Sequence, residues 1–199
     1  MIILNLIFLY FFVILVSYLI GSFPSGYVLS RYFNKIDITK QGSGNIGATN
    51  VLRSGSKILA ITTLLIDALK GAIPVLIFKS NIYLGILSAL FSFLGHNFPL
   101  WLKFKGGKGI ATYLGICFAF SPYLGLSFIV IWIVIALVFK TASTASLTAI
   151  SLVPFISLLI TKNILITLIF ILLSIISFYR HKPNIIRILR GEEPKIKII

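Results

Sequence analysis

Seven apolar runs, most of them near the roughly 20 residues a helix needs to cross about 30 Å of hydrocarbon, divide this sequence and make lipid its solvent. They cover residues 2–21, 58–78, 82–98, 110–120, 123–139, 142–160 and 164–178. Backbone N–H and C=O groups find no water at that depth, so each run must satisfy them internally as a helix. The expected fold is therefore an all-α integral membrane protein of about seven transmembrane helices. The fourth helix is short and needs tilt or local thinning of the bilayer to cross. A mean hydropathy of +1.07 with 58% hydrophobic residues excludes an ordinary soluble domain. No repeat, linker or second domain interrupts the pattern, so residues 1–199 read as a single membrane domain. The start lacks a basic region and a small-residue cleavage site, and reads as a retained first span rather than a signal peptide.

Charge orients these runs. The chain carries 18 Lys and Arg against 4 Asp and Glu, a net charge of +14. With all seven runs crossing, Arg31, Lys35, Lys40, Arg53, Lys57, Lys103, Lys105, Lys108 and Lys140 share one side with Arg180, Lys182, Arg187, Arg190, Lys195 and Lys197. Only Lys79 and Lys162 fall opposite. Positive loops stay in the cytoplasm, which places the N-terminus outside, the C-terminus inside and the three longest polar segments on the cytoplasmic face. So basic a surface invites anions. Nucleic acid fits poorly, because the cations are split up by lipid-buried spans; phosphorylated small molecules and lipid headgroups fit better. A lone Cys117 allows no internal disulfide, and four acids with two distant histidines make no metal site.

Three polar segments carry the chemistry. Gly42, Ser43, Gly44, Asn45, Ile46, Gly47, Ala48, Thr49 and Asn50 interleave glycines with hydroxyls and amides, and Arg53 follows. Such a segment can turn backbone N–H groups toward an anion, with guanidinium as a paired donor. A second segment runs Lys103, Phe104, Lys105, Gly106, Gly107, Lys108, Gly109 directly into the short fourth span. There, glycines let the backbone wrap an oxyanion, Lys108 neutralises it, and the following helix adds its positive end. The spacing differs from the nucleotide-binding loop, so ATP is not implied. A positive-inside cluster explains the same residues equally well.

The tail after residue 178 is the third segment, with a short amphipathic helix expected after Pro183 that sets Asn184 and Arg187 on one face. His181 precedes it, and the acidic pair Glu192 and Glu193 follows. Near the spans lie His96 and Asn97 at the cytoplasmic end of the third run. Asp67 and Lys70, i and i+3 within the second, suit an internal ion pair and a catalytic role equally.

These pieces resemble one family: the bacterial membrane glycerol-3-phosphate acyltransferases that use acyl phosphate as donor. Gly-Ser-Gly-Asn-x-Gly-Ala-Thr-Asn, Gly-His-Asn-Phe, Gly-Gly-Lys-Gly and His-x-x-Asn-x-x-Arg-x-x-x-Gly-x-Glu occur here in the family's order over nearly the whole chain. The resemblance implies transfer of an acyl group from acyl phosphate to the 1-hydroxyl of glycerol 3-phosphate, giving lysophosphatidic acid and phosphate without a cofactor. It implies Ser43, Arg53, Lys108, His181 and Asn184 as catalytic residues. Gly42, Gly44, Asn45, Gly47, Thr49, Asn50, His96, Asn97, Gly106, Gly107, Gly109, Arg187 and Glu192 are then the binding residues. Membrane lipid surrounds the enzyme, a soluble enzyme supplies the acyl phosphate, and the location is the bacterial inner membrane with the site facing the cytoplasm. The proton acceptor stays open among His181, His96 and the donor phosphate. A transporter or channel for a phosphorylated solute is the rival reading; it expects a midplane site between repeated halves, which the sequence does not show.

Overall fold

The computed structural model describes residues 1–196, so Lys197, one of the tail cations, lies outside the described part. Its α-helices are α1 (Ile2–Ser22), α2 (Ser25–Phe33), α3 (Ala48–Arg53), α4 (Lys57–Phe78), α5 (Ile82–Asn97), α6 (Ile110–Phe120), α7 (Pro122–Phe139), α8 (Ala142–Thr161), α9 (Ile164–Arg180) and α10 (Lys182–Leu189). Among the described residues, five stretches are long and apolar enough to cross a membrane: α1 with α2, then α4, α5, α7 and α8. The pair α9 and α10, bent by 65°, makes a sixth. Helix α6 has only 11 residues, a rise of about 16 Å, and so is as short as its apolar run. The described residues divide into two compact units, residues 1–119 and 120–196.

In the first unit, glycines set the helix packing. Helices in lipid gain nothing from hiding apolar surface, so close backbone approach must supply the dispersion energy. A β-carbon on Gly21 would collide with the backbone of Ser92, and one on Gly95 with the backbones of Tyr18 and Ser22. These reciprocal gaps seat α1 against α5. Gly71 and Gly115 do the same for α4 and α6, meeting the backbones of Thr112 and Ala68. Phe93 of α5 and Tyr113 of α6 add an edge-to-face ring pair with centroids 6.4 Å apart.

Pro24 ends α1. It bars Phe23 from helical geometry and lacks an N–H of its own, so α1 stops at Ser22 and α2 restarts at Ser25. Beyond α2, buried Ile38, Ile46, Val51 and Ala60 form a small core, with Tyr27, Leu59 and Leu102 packed against it. That core gives the glycine-rich segment before α3 a fixed base.

The second unit is a series of hairpins. Helices α7, α8 and α9 are joined by the pairs Lys140-Thr141 and Lys162-Asn163. Both lysines take left-handed backbone geometry, at φ 56° and 50°, which reverses the chain within two residues. Asn163 caps α9 by accepting from Leu165 N at 3.0 Å. Trp132 Nε1 donates to Ser146 Oγ at 3.0 Å between α7 and α8, and Ser174 Oγ to the Ile150 carbonyl at 2.7 Å between α9 and α8.

Candidate active site

Asn50 organises the first segment. Its buried side chain donates to the carbonyls of Ile38, Gln41 and Asn45 at 3.2, 2.9 and 2.9 Å and accepts from Ser43 N at 3.1 Å. Gly44 N donates to the Gln41 carbonyl at 2.9 Å, and Gly47 N to Asn45 Oδ1 at 2.8 Å. The backbone N–H groups of Ser43, Gly44 and Gly47, expected to face an anion, are thus spent inside the loop. Gly42 and Gly44 are needed for their left-handed backbone, at φ 53° and 69°. What the segment offers to solvent is side chains: Ser43, Thr49 and Arg53 are exposed. Thr49 and Arg53, one helical turn apart on α3, share a face.

The second segment departs from its expected role in the same way. Gly106 N donates to the Asn97 carbonyl at 3.2 Å, and Gly107 N to the His96 carbonyl at 3.1 Å. Both N–H groups fasten the loop to the end of α5 rather than wrap an oxyanion. The glycines serve close packing, since a β-carbon on Gly106 would strike the His96 carbonyl, one on Gly107 the His96 ring, and one on Gly109 the Phe93 ring. His96 and Asn97, expected as binding residues, are buried at 3% and 0% exposure and support the loop through their carbonyls. Half-buried Lys108 stands directly ahead of α6, whose first turn closes with Tyr113 N on the Gly109 carbonyl at 2.7 Å.

The second unit brings its own polar group together. His181 Nδ1 lies 2.8 Å from the Ser177 carbonyl. A carbonyl only accepts, so Nδ1 bears the proton and the lone pair of the neutral ring sits on Nε2. Asn184 Nδ2 donates to Ser143 Oγ at 2.7 Å and to Glu193 Oε1 at 2.8 Å, while Arg187 Nε donates to Glu193 Oε2 at 2.8 Å. Ser143 Oγ donates to Glu193 Oε1 at 2.5 Å. Burial alone would raise the Glu193 carboxyl, but the hydrogen bonds from Ser143, Asn184 and Arg187 outweigh it and hold the group below its ordinary value. Asn184 Oδ1 is buried and finds no hydrogen-bond donor among the described residues, which leaves it an acceptor.

The expected acid of this motif, Glu192, is exposed and, among the described residues, engages the group through its backbone N–H, 2.8 Å from the Arg187 carbonyl. Glu193 takes its place, and the Gly-x-Glu spacing counted from Gly191 falls on Glu193 as well. Ser143 was not among the expected residues. Its signal is four hydroxyls in six residues, Thr141, Ser143, Thr144 and Ser146, at the start of α8. The tail helix forms as expected but begins at Lys182. Asn184 is its buried residue, Arg187 is half-buried, and Leu189 stands 82% exposed.

A family model described as glycerol-3-phosphate acyltransferase matches residues 11–191. A glycerol-3-phosphate acyltransferase of Pelagibacter ubique is 48% identical over 193 residues, covering 95% of this chain and 98% of its own. One of Mesorhizobium japonicum is 49% identical, covering 90% and 92%. The crystal structure of PlsY (YgiH), an integral membrane glycerol 3-phosphate acyltransferase, in its glycerol 3-phosphate form superimposes with a TM-score of 0.90 at 34% identity, covering 94% of this chain and 95% of that one. Its lysophosphatidic acid form gives 0.88 at 35% identity, covering 94% of each. On sequence and on fold, then, the chain is a multi-pass membrane protein that belongs to the glycerol-3-phosphate acyltransferase family.

Proposed function

We propose that the protein transfers a fatty acyl group from acyl phosphate to the 1-hydroxyl of glycerol 3-phosphate, releasing lysophosphatidic acid and inorganic phosphate. The observation that carries this reading is the match to one enzyme in two forms, named for the acceptor and for the product. The hydroxyl oxygen bonds to the acyl carbonyl carbon, the bond from that carbon to the phosphate oxygen breaks, and phosphate leaves. A mixed anhydride has a good leaving group, so positioning and charge suffice and no covalent nucleophile is required.

Arg53, Ser43 and Thr49 supply exposed donors suited to a phosphate, and Lys108 at the start of α6 supplies a cation beside a helix N-terminus. Asn184 Oδ1 is an acceptor for a substrate hydroxyl. His181 Nε2 suits the proton better than His96, whose ring is packed on Gly107 with Nδ1 facing Asp67. Glu193 and Ser143 orient Asn184. We further infer seven crossings with the N-terminus outside, the site at the cytoplasmic face of a bacterial inner membrane, and acyl phosphate supplied by a soluble enzyme.

The test is lysophosphatidic acid formation by purified protein in detergent, offered glycerol 3-phosphate with acyl phosphate, acyl-CoA or acyl carrier protein. Turnover with acyl phosphate alone, abolished by Lys108→Ala, is the expected result. No turnover with any donor from folded protein would sink the enzyme reading and turn attention to solute flux. Turnover near the parental rate in His181→Ala would exclude His181 as the proton acceptor and assign the proton to the leaving phosphate instead.

A further inference from the structure

The scheme above leaves Asp67 and Lys70 without work, although both lie inside α4 and are only 2% and 4% exposed. Charges in hydrocarbon persist when paired, and Lys70 Nζ lies 2.7 Å from Asp67 Oδ1. A pair that served only to cancel itself would be replaceable by two apolar side chains. Each member, however, reaches a further element. Lys70 Nζ also donates to the Phe23 carbonyl at 2.8 Å, at the break between α1 and α2. Ser25 Oγ of α2 donates to Asp67 Oδ1 at 2.6 Å. On α5, His96 Nδ1 stands 3.6 Å from that same oxygen, close for charge though long for a hydrogen bond.

The other edge of the His96 ring completes the chain of contacts. Its Nε2 occupies the space a β-carbon on Gly107 would need, while the His96 carbonyl accepts from Gly107 N at 3.1 Å. The loop residue next to Lys108 is therefore gripped by His96 from two sides, and His96 is oriented by the carboxylate behind it.

We propose that Asp67 is a positioning residue, whose carboxylate fixes the His96 ring against Gly107 and so sets the direction in which Lys108 is presented. Lys70 balances its charge, and Ser25 fixes its rotamer. The proposal rests on the assignment of Lys108 to a substrate phosphate, and its test is arranged to fail separately from that assignment. Asp67→Asn alone strands the Lys70 charge and endangers the fold, so the informative variant is Asp67→Asn with Lys70→Met, which leaves α4 neutral. Three quantities are measured in detergent: melting temperature, hydrogen exchange at the Gly106 and Gly107 amides, and kcat and KM for glycerol 3-phosphate.

The double variant is expected to melt near the parent, to exchange those amides at least 10-fold faster, and to lose up to about 100-fold in kcat/KM, chiefly through KM. Adding His96→Ala should cost less than about a further twofold, because residues acting as one unit are not additive. Parental kinetics and exchange in the double variant would overturn the proposal and reduce the pair to charge neutrality. An independent, multiplying loss on adding His96→Ala would overturn it too. The exchange contrast needs no turnover, so an inactive parent that still shows it supports the positioning while refuting the reaction.

Discussion

Asn50→Ala separates a loop staple from a substrate ligand. The Asn50 side chain engages three hydrogens: two of its own, shared among the carbonyls of Ile38, Gln41 and Asn45, and that of Ser43 N. At about 1 kcal/mol each, their loss amounts to about 3 kcal/mol. Gln41 to Gly44 are exposed, so water replaces part of this and about 2 kcal/mol remains. A local opening made easier by that amount speeds amide exchange at Ser43 by roughly 30-fold. Turnover should fall with it, because Ser43 is no longer held in place. In Arg53→Ala and Thr49→Ala, whose exposed side chains are not among the hydrogen-bond partners of Asn50, turnover should fall while exchange at Ser43 stays at the parental rate. The assay is hydrogen exchange by mass spectrometry alongside lysophosphatidic acid formation on the same preparations. The reasoning is refuted if Asn50→Ala loses glycerol 3-phosphate binding while Ser43 exchange and melting temperature are unchanged.

Glu193→Gln should cost about 1.5–3 kcal/mol of stability by weakening charge-assisted bonds from Arg187 and its neighbours, and most of the activity, whereas Glu192→Gln should leave both near parental; thermal melts and turnover of the two variants decide this. The Glu193 carboxyl is held below its ordinary value of 4.5 in the fold, so its stabilising contribution is complete above about pH 4.5 and is lost as pH falls through the lower folded value. Between pH 5 and pH 3, on the order of the ordinary carboxylate range, the parent should therefore lose melting temperature more steeply than Glu193→Gln. Gly107→Ala, which drives a β-carbon into the His96 ring, should overpack the site by about 1–3 kcal/mol and cut turnover, seen as a lower melting temperature with a raised KM. Lys162→Gly should raise the melting temperature, since the left-handed backbone there costs a side chain roughly 1 kcal/mol that glycine does not incur.

The helices were legible because hydrocarbon leaves the backbone no alternative, and even the short α6 coincides with its apolar run, Ile110–Phe120. The pairing of Asp67 with Lys70 could also be read, being a matter of helical spacing. The direction of loop N–H groups could not. Whether Ser43 N faces an anion or Asn50 Oδ1 depends on φ and ψ across the loop, and the same glycine pattern serves either purpose. Long-range partners were equally hidden: Ser143 lies 41 residues from the Asn184 it bonds, and Ser25 lies 42 from Asp67. Adjacent acids posed a finer problem, because successive residues in an extended segment face opposite ways and only Glu193 turns inward.

The seating of α1 on α5 also fixes an order of events during synthesis. Tyr18 Oη donates to the Phe98 carbonyl at 2.7 Å, across 80 residues of chain. At roughly 5–20 residues per second a ribosome needs about 4–16 s to make that stretch. For that interval α1 waits in the bilayer without the partner its glycine gap was shaped for, and only its own hydrophobicity keeps it there. Helices α7 and α8, separated by two residues, have no such wait and can enter as a hairpin. A polar substitution on α1 should therefore show itself first as protein lost during biogenesis, before any defect in the mature enzyme could be measured.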